Sequence, residues 1–436
     1  MKMNPKTSRR DFLKASAAIS ATALAVSAAP KVHAEGSDTI KIGLIGCGGR
    51  GCGAVQDAFQ ADPNVKLVAM ADTFEDRVKN PRNVLKDNTP ERVDVPDDRC
   101  FFGLDGYKGV IEHSDVVLVA CASRFHPKYT LEAVKAKKHL FVEKPHALDA
   151  AGIKIVLQAA EIAAKNNTAI VSGLCYRYDT LRQEALARIA DGAIGDITAV
   201  QCDYIRMPYS LINRKPEWTE TEYQFRNWYH FTWLAGDEIL QSLLHNVDSV
   251  MTAFGDEAPV SAYGVGGRSS MFIEQMGDQF DHSAMILNFA SGRKIYGMTR
   301  TAVNCFSSNK DVLHGTKGRC YFNATGVPYL TDLKENRIWT AGNRERSMYV
   351  QEHYELFKSI QAGKPINDGQ RMARTTMATI LGFMACRNGQ EVSWDTALEA
   401  GAFYGPAEAD ISLTMEPPLK PEANGLYPLS VPGVSS

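Results

Sequence analysis

The apolar run Thr39-Ile40-Lys41-Ile42-Gly43-Leu44-Ile45 leads straight into Gly46-Cys47-Gly48-Gly49-Arg50-Gly51. Such a run reads as a strand buried on both faces, and GxGxxG between a strand and a helix specifies a tight strand–turn–helix unit. In that unit Gly46 permits the turn, Gly48 lets the backbone approach a pyrophosphate, and Gly51 lets the helix pack closely on the strand. The helix N-terminus favours the phosphate charge. A second apolar run, residues 65–72, ends in Asp72, 21 residues after Gly51. A carboxylate there accepts from a ribose 2′-hydroxyl and repels a 2′-phosphate. A dinucleotide site is therefore expected at Gly46, Gly48, Gly49, Arg50, Gly51 and Asp72, with NAD preferred over NADP. Arg50 leaves room for some NADP binding. The plainer reading of the same residues is a glycine turn with a helix cap at Asp72.

Three further apolar runs, at 115–122, 139–145 and 169–173, alternate with amphipathic stretches such as PKYTLEAVKAK and AAGIKIVLQAAEIAAKNN. Strands alternating with helices imply a doubly wound parallel sheet, a Rossmann domain spanning about 38–172. After residue 173 the pattern changes. A helix is expected over DTLRQEALARIADG, then a strand with one wet face over GDITAVQCDYIRMPYS, then strands at 259–266, 282–290, 293–301, 318–323 and 327–332. This reads as a second α/β domain, about 173–400, with an open, mostly antiparallel sheet backed by helices. A helix pair, 348–362 and 368–388, precedes a C-terminal tail at 401–436, Pro-rich from 416.

The first 34 residues read as a targeting segment. Lys2, Lys6, Arg9, Arg10 and Lys14 form a basic head, Ala15 to Ala29 is uncharged, and Val32-His33-Ala34 offers a small-residue exit site. Fifteen mildly apolar residues are too few to span a bilayer, which needs about 20. Arg9-Arg10 followed by Phe12-Leu13-Lys14 resembles the twin-arginine signal, whose machinery moves folded proteins and which implies a periplasmic destination. An ordinary secretory signal or an uncleaved anchor is the alternative. Without the leader the chain has 42 Lys and Arg against 49 Asp and Glu, a net charge of −7. That balance disfavours nucleic acid and anionic lipid as partners. Nine scattered cysteines with no CxxC argue against a zinc site or a disulfide framework.

The run HLFVEKP ends a strand in Glu143-Lys144-Pro145. A Lys at the carboxyl end of a parallel strand faces the ligand crevice, where it can hydrogen-bond a substrate oxygen and shuttle its proton. Taken with GLIGCGGRG, Asp72, SRFHPKYTLEAVKAKKHLFVEKP and IGDITAV, the pattern resembles the glucose–fructose oxidoreductase/inositol dehydrogenase/MocA family over about residues 39–390. The resemblance implies a Rossmann domain followed by an α/β domain whose open sheet covers the site. It also implies that Lys144 of EKP is catalytic, that Pro145 follows a cis bond, that His126 and Glu143 lie near the nicotinamide, and that Arg177-Tyr178 match the family's Arg-aromatic pair.

Within GDEILQSLLHNVDSV the resemblance assigns His245 as a second catalytic group beside Lys144, one helical turn before Asp248. The family's carboxylate four residues before that His is replaced by Gln241. A neutral amide cannot hold an imidazolium as a carboxylate does, so a raised His245 pKa is not expected. A core histidine is the alternative. The segment 206–233, rich in Trp, Tyr and Arg and including Trp228, suits either a carbohydrate site or an oligomer contact. The reading is thus an exported NAD-dependent oxidoreductase of a sugar, polyol or glycoside, forming a homo-oligomer. Export of a folded chain away from the cytoplasmic NAD pool favours a bound, internally recycled cofactor. An ordinary dehydrogenase with exchangeable NAD, an NAD-dependent glycosidase or lyase and, more distantly, a non-catalytic sugar sensor are the alternatives.

Overall fold

The computed structural model describes residues 39–401 and 404–433, so the leader lies outside the described residues. Strands β1 (Ile40–Ile45), β2 (Val65–Asp72), β3 (Cys100–Phe102), β4 (Val116–Val119), β5 (His139–Val142) and β6 (Ile170–Ser172) form a six-stranded sheet in the order β3-β2-β1-β4-β5-β6. Every pairing in it is parallel. Helices α1 (Gly49–Ala61), α2 (Glu75–Asn88), α3 (Tyr107–His113), α4 (His126–Lys135) and α5 (Ala150–Asn166) connect the strands. Val116, Val117, Leu118 and Val119 of β4 are all fully buried. Each such side chain contributes about 1.5–3 kcal/mol relative to leaving it exposed. Strand order reverses between β1 and β4, and ligands bind in the crevice beyond the carboxyl ends at such a point.

The second domain holds a nine-stranded sheet. Its strands are β7 (Ile197–Arg206), β8 (Ser261–Gly267), β9 (His282–Asn288), β10 (Lys294–Thr301), β11 (Ser308–Gly315), β12 (Gly318–Asn323), β13 (Tyr329–Asp332), β14 (Arg337–Thr340) and β15 (Val392–Ser393), in the order β14-β13-β12-β11-β7-β10-β9-β8-β15. Only β7 and β10 pair in parallel, as a mostly antiparallel sheet requires. Helices α6 (Thr180–Ala190), α7 (Glu220–Arg226), α8 (Leu244–Ala253) and α10 (Gly369–Asn388) accompany it, and helix α9 (Met348–Gln361) follows the sheet in sequence. Helices α8 and α10 pack on one face of the sheet, and Tyr263, Val265, Tyr296 and Met298 are exposed.

Three features differ from the sequence reading. Strand β11 sits between β7 and β12, yet it reads as polar because its buried centre includes Asp311, which pairs with Arg182 at 3.2 Å. Helix α9 packs against α1 and β6, so this late segment completes the first domain. The Pro-rich tail, for which no packing was expected, is docked: Arg124 Nη2 donates to the Pro406 carbonyl at 2.5 Å, and Ile411 and Tyr427 are buried. All nine cysteines are unpaired; Cys175 is buried and Cys121 half-buried.

Candidate active site

At the carboxyl ends of β1, β2, β4 and β5 lies a cleft of about 500 Å³. Its walls include Gly46, Gly48, Gly49, Arg50, Asp72, His126, Glu143, Lys144, Gln241 and His245, closed from the second domain by Tyr204, Tyr209 and residues 225–229. Gly46 has φ +96°, and a Cβ there would collide with the Ala120–Cys121 backbone. A Cβ on Gly51 would strike the Gly46 carbonyl, which is why α1 can pack so closely on β1. At Gly48 and Gly49 a Cβ would meet nothing within 4 Å. Helix α1 starts here without a side-chain cap, so its first-turn N–H groups face a space that glycine alone leaves open. This arrangement fits the pyrophosphate of a dinucleotide.

Asp72 Oδ2 accepts the Cys47 N–H at 2.8 Å. Burial pushes this carboxyl above its ordinary range, opposed by the N–H groups of Cys47, Thr73 and Phe74. It therefore braces the glycine turn and lines the cleft, while neither adjoining helix takes a side-chain cap from it.

At the other end, Glu143 Oε1 accepts from Arg50 Nε at 2.6 Å, and Arg50 also pairs with Asp57 at 3.1 Å and reaches Glu352 at 3.8 Å. This changes the reading of Arg50. Its guanidinium is committed to carboxylates and stacked over Tyr349, 5.0 Å from the ring centre, and the cation acting on Asp72 is Arg77. The Lys144–Pro145 peptide is cis. Lys144 Nζ donates to the main-chain carbonyl of Gln241 at 2.6 Å. Gln241 belongs to a π-helical turn, Ile239–Leu243, of the kind often found at functional sites. Its side-chain amide donates to Ser123 Oγ at 3.0 Å and to the Ala235 carbonyl.

His245 lies against the Tyr176 ring, 5.2 Å between centres, with Nδ1 4.0 Å from Cys175 Sγ. Burial first, then the charges of Lys144, Arg182 and Arg50, push its pKa well below the usual value, so the imidazole is neutral. Its environment agrees with the expectation drawn from Gln241. His126 Nδ1 is 2.7 Å from the Pro145 carbonyl and Nε2 is 3.0 Å from the Cys121 carbonyl. Burial lowers its pKa, and a neutral ring donates to only one of them.

Three expected residues stand outside the cleft lining. Arg177 pairs with Asp248 at 2.8 Å and with both oxygens of Asp256, at 3.0 and 2.6 Å. Asp248 is fully buried and also accepts from Thr375, while the Tyr178 hydroxyl donates to Asp368 at 2.6 Å. Arg177 and Asp248 therefore form a brace behind His245 and do not present groups to a ligand, because each is spent on a buried partner. Trp228 does line the cleft. Residues the sequence did not single out, Phe74, Arg77, Ser123, Tyr204 and Tyr349, line it or hold its walls. Phe74 and Arg77 were within reach, following Asp72 directly; Tyr349 comes from a distant helix with no local signal. Among the described residues no cluster of three His, Cys, Asp or Glu is placed to hold a metal ion.

Residues 40–171 match the family model GFO_IDH_MocA, described as an oxidoreductase family with an NAD-binding Rossmann fold. The chain is 24% identical over 372 residues to a myo-inositol 2-dehydrogenase of Thermotoga maritima, covering 81% of this chain and 97% of that one. It is 30% identical over 205 residues to a glycosyl hydrolase family 109 protein of Solibacter usitatus, spanning only 44% of each. Among solved structures, an aldose–aldose oxidoreductase from Caulobacter crescentus superposes with TM-score 0.63 at 19% identity, over 81% of this chain and 99% of that one. A probable dehydrogenase from Thermotoga maritima gives 0.59 at 20%, over 82% and 100%. These structures share the two-domain fold.

Proposed function

Since residues 40–171 belong to the GFO_IDH_MocA oxidoreductase family, with its NAD-binding Rossmann fold, we propose that this NAD-dependent oxidoreductase is exported and keeps its NAD through a closed redox cycle on a sugar, polyol or glycoside. One observation carries the chemistry: Lys144 and a neutral His245 line the same cleft as the open glycine turn. Bound NAD supplies the hydride acceptor at its nicotinamide ring. The Lys144 ammonium then donates to the substrate oxygen and favours its alkoxide, and His245, neutral and unprotonated, takes the hydroxyl proton. Tyr209, Trp228 and Tyr229 line the cleft, aromatic groups of the kind that pack on sugar C–H groups.

Similarity to a myo-inositol 2-dehydrogenase and to glycosyl hydrolase family 109 proteins supports a carbohydrate-like substrate. The glycosyl hydrolase similarity, though it spans only 44% of each chain, supports a glycoside among the candidate substrates. Export rests on Arg9-Arg10 and the leader alone. A homo-oligomer is supported by the exposed apolar side chains on the open sheet face. The test is a screen of free sugars and glycosides on protein purified without added nucleotide, followed by nicotinamide absorbance and product analysis. Glycoside turnover with no net nicotinamide reduction supports the closed cycle. Steady reduction that depends on added NAD identifies an ordinary dehydrogenase.

A further inference from the structure

We propose that Arg226 is a positioning residue that latches the second domain over the adenosine end of the cleft and so controls how fast the dinucleotide enters and leaves. The inference rests on the reading above, that the cofactor is held. Arg226 ends helix α7 in the second domain, yet its guanidinium grips the first turn of helix α2, just beyond Asp72, in the first. Nη1 and Nη2 donate to the two oxygens of Asp76, each at 3.2 Å, a two-pronged contact across 150 residues of chain. The same guanidinium lies 3.9 Å from the centre of the Phe74 ring and 5.0 Å from that of Trp218.

Glu222, one turn earlier on α7, accepts from Arg226 Nε at 2.8 Å and so sets the direction of the side chain. Beside it Phe225 stacks on Phe125, 6.1 Å between ring centres, so two consecutive residues of α7 reach across the domain boundary. Phe74, Arg77 and Asp72 on one side and Phe225, Arg226 and Asn227 on the other line a single cleft. The segment from Asp72 to Asp76, where the dinucleotide's ribose is expected, thus lies under a strap anchored in the other domain.

The energetics suit a latch more than a weld. Asp76 is more than half exposed, so the ion pair alone is weak. The stacked guanidinium adds directional grip that a lysine cannot reproduce, because only a planar fork stacks and bridges at once. Opening therefore costs little globally but is required locally before a ligand under the strap can leave.

The test is NADH dissociation and association by stopped-flow fluorescence on the wild-type protein and on Arg226→Ala, Arg226→Lys and Asp76→Asn, with melting temperatures of the nucleotide-free forms alongside. Release from Arg226→Ala is expected to be faster by about tenfold or more, the scale of one lost stacked, two-pronged contact. Association should speed up as well, since a gate slows both directions. Arg226→Lys should restore little, and Asp76→Asn should fall between wild type and Arg226→Ala. Should Arg226→Ala fail to fold, Asp76→Asn carries the comparison, because its side chain is largely in solvent. Release within twofold of wild type, or faster release with unchanged association, overturns the latch. Wild-type protein that holds NADH only weakly overturns the retained-cofactor reading together with it, so the two failures are distinguishable.

Discussion

The acceptor that holds Lys144 is a neutral backbone carbonyl, and the histidine it faces is neutral too. With Gln241 in place of an acid, the proposed chemistry gives Lys144 the part of hydrogen-bond donor and local positive charge and His245 that of the base. Lys144→Met keeps the apolar stem and removes the ammonium; turnover should fall by about a hundredfold or more with dinucleotide binding retained, as titration and single-turnover kinetics will tell. Because burial and nearby cations lower the His245 pKa, an acid limb near pH 6.5 is not expected in the oxidative direction. A limb there that disappears in His245→Ala would contradict the assignment. Asp72→Ala should weaken NAD binding by about 1.5–3 kcal/mol and narrow the margin over NADP, measured by calorimetry with both nucleotides. Part of that loss comes from freeing the Cys47 N–H, so Asp72→Asn, which keeps an acceptor, should recover some of it.

Strands buried on both faces announce themselves as continuous apolar runs, which is why β1, β2, β4, β5 and β6 were legible and the glycine turn could be placed at the end of β1. Strand β11 was not, because a buried Asp311 satisfied by Arg182 and Asn246 looks, in sequence, like a loop. The same limit applies to the site. The family resemblance pointed to His245, Arg177, Tyr178 and Asp248, but whether a side chain faces the cleft or a partner behind it is decided by packing between elements far apart in the chain. Helix α9 shows this best, since nothing local says that it closes the first domain. Its His353 is fully buried against the Phe141 ring, 4.3 Å between centres, with both ring nitrogens lacking a hydrogen-bond partner among the described residues. Burial lowers its pKa to about 3. The unfolded chain takes up this proton near pH 6.5, before the folded one does. The contribution to stability is therefore full above that pH and erodes as pH falls toward about 3. His353→Phe should be close to neutral at pH 7.5 and gain over wild type by roughly 1.4 kcal/mol for each pH unit below about 6.5, read from urea unfolding at several pH values.

Across the whole molecule, both domains line the cleft, and the tail is tied to the first domain beside it. Residues 225–229 cap it from the second domain, Arg226 grips Asp76 in the first, and the tail ties Arg124 through Pro406. On the proposed reading, a chain that folds around its dinucleotide before export would not need to find that dinucleotide again outside. Nine unpaired cysteines are also compatible with folding before export, because Cys305 alone among them is exposed. Replacing Arg9-Arg10 by Lys-Lys should therefore leave folded, nucleotide-bearing protein in the cytoplasm; unchanged export would remove the twin-arginine assignment. Protein recovered from the periplasm without added nucleotide should release NAD on denaturation, in roughly stoichiometric amount by mass spectrometry. Adding more NAD should then change neither activity nor melting temperature, because the site is already filled. Stripping the nucleotide should lower stability, by about 2.7 kcal/mol for a ligand present at about a hundred times its Kd. A periplasmic protein that arrives empty and needs added NAD for turnover would leave the fold and the family untouched, and would show that the cleft opens faster than the cycle it was proposed to enclose.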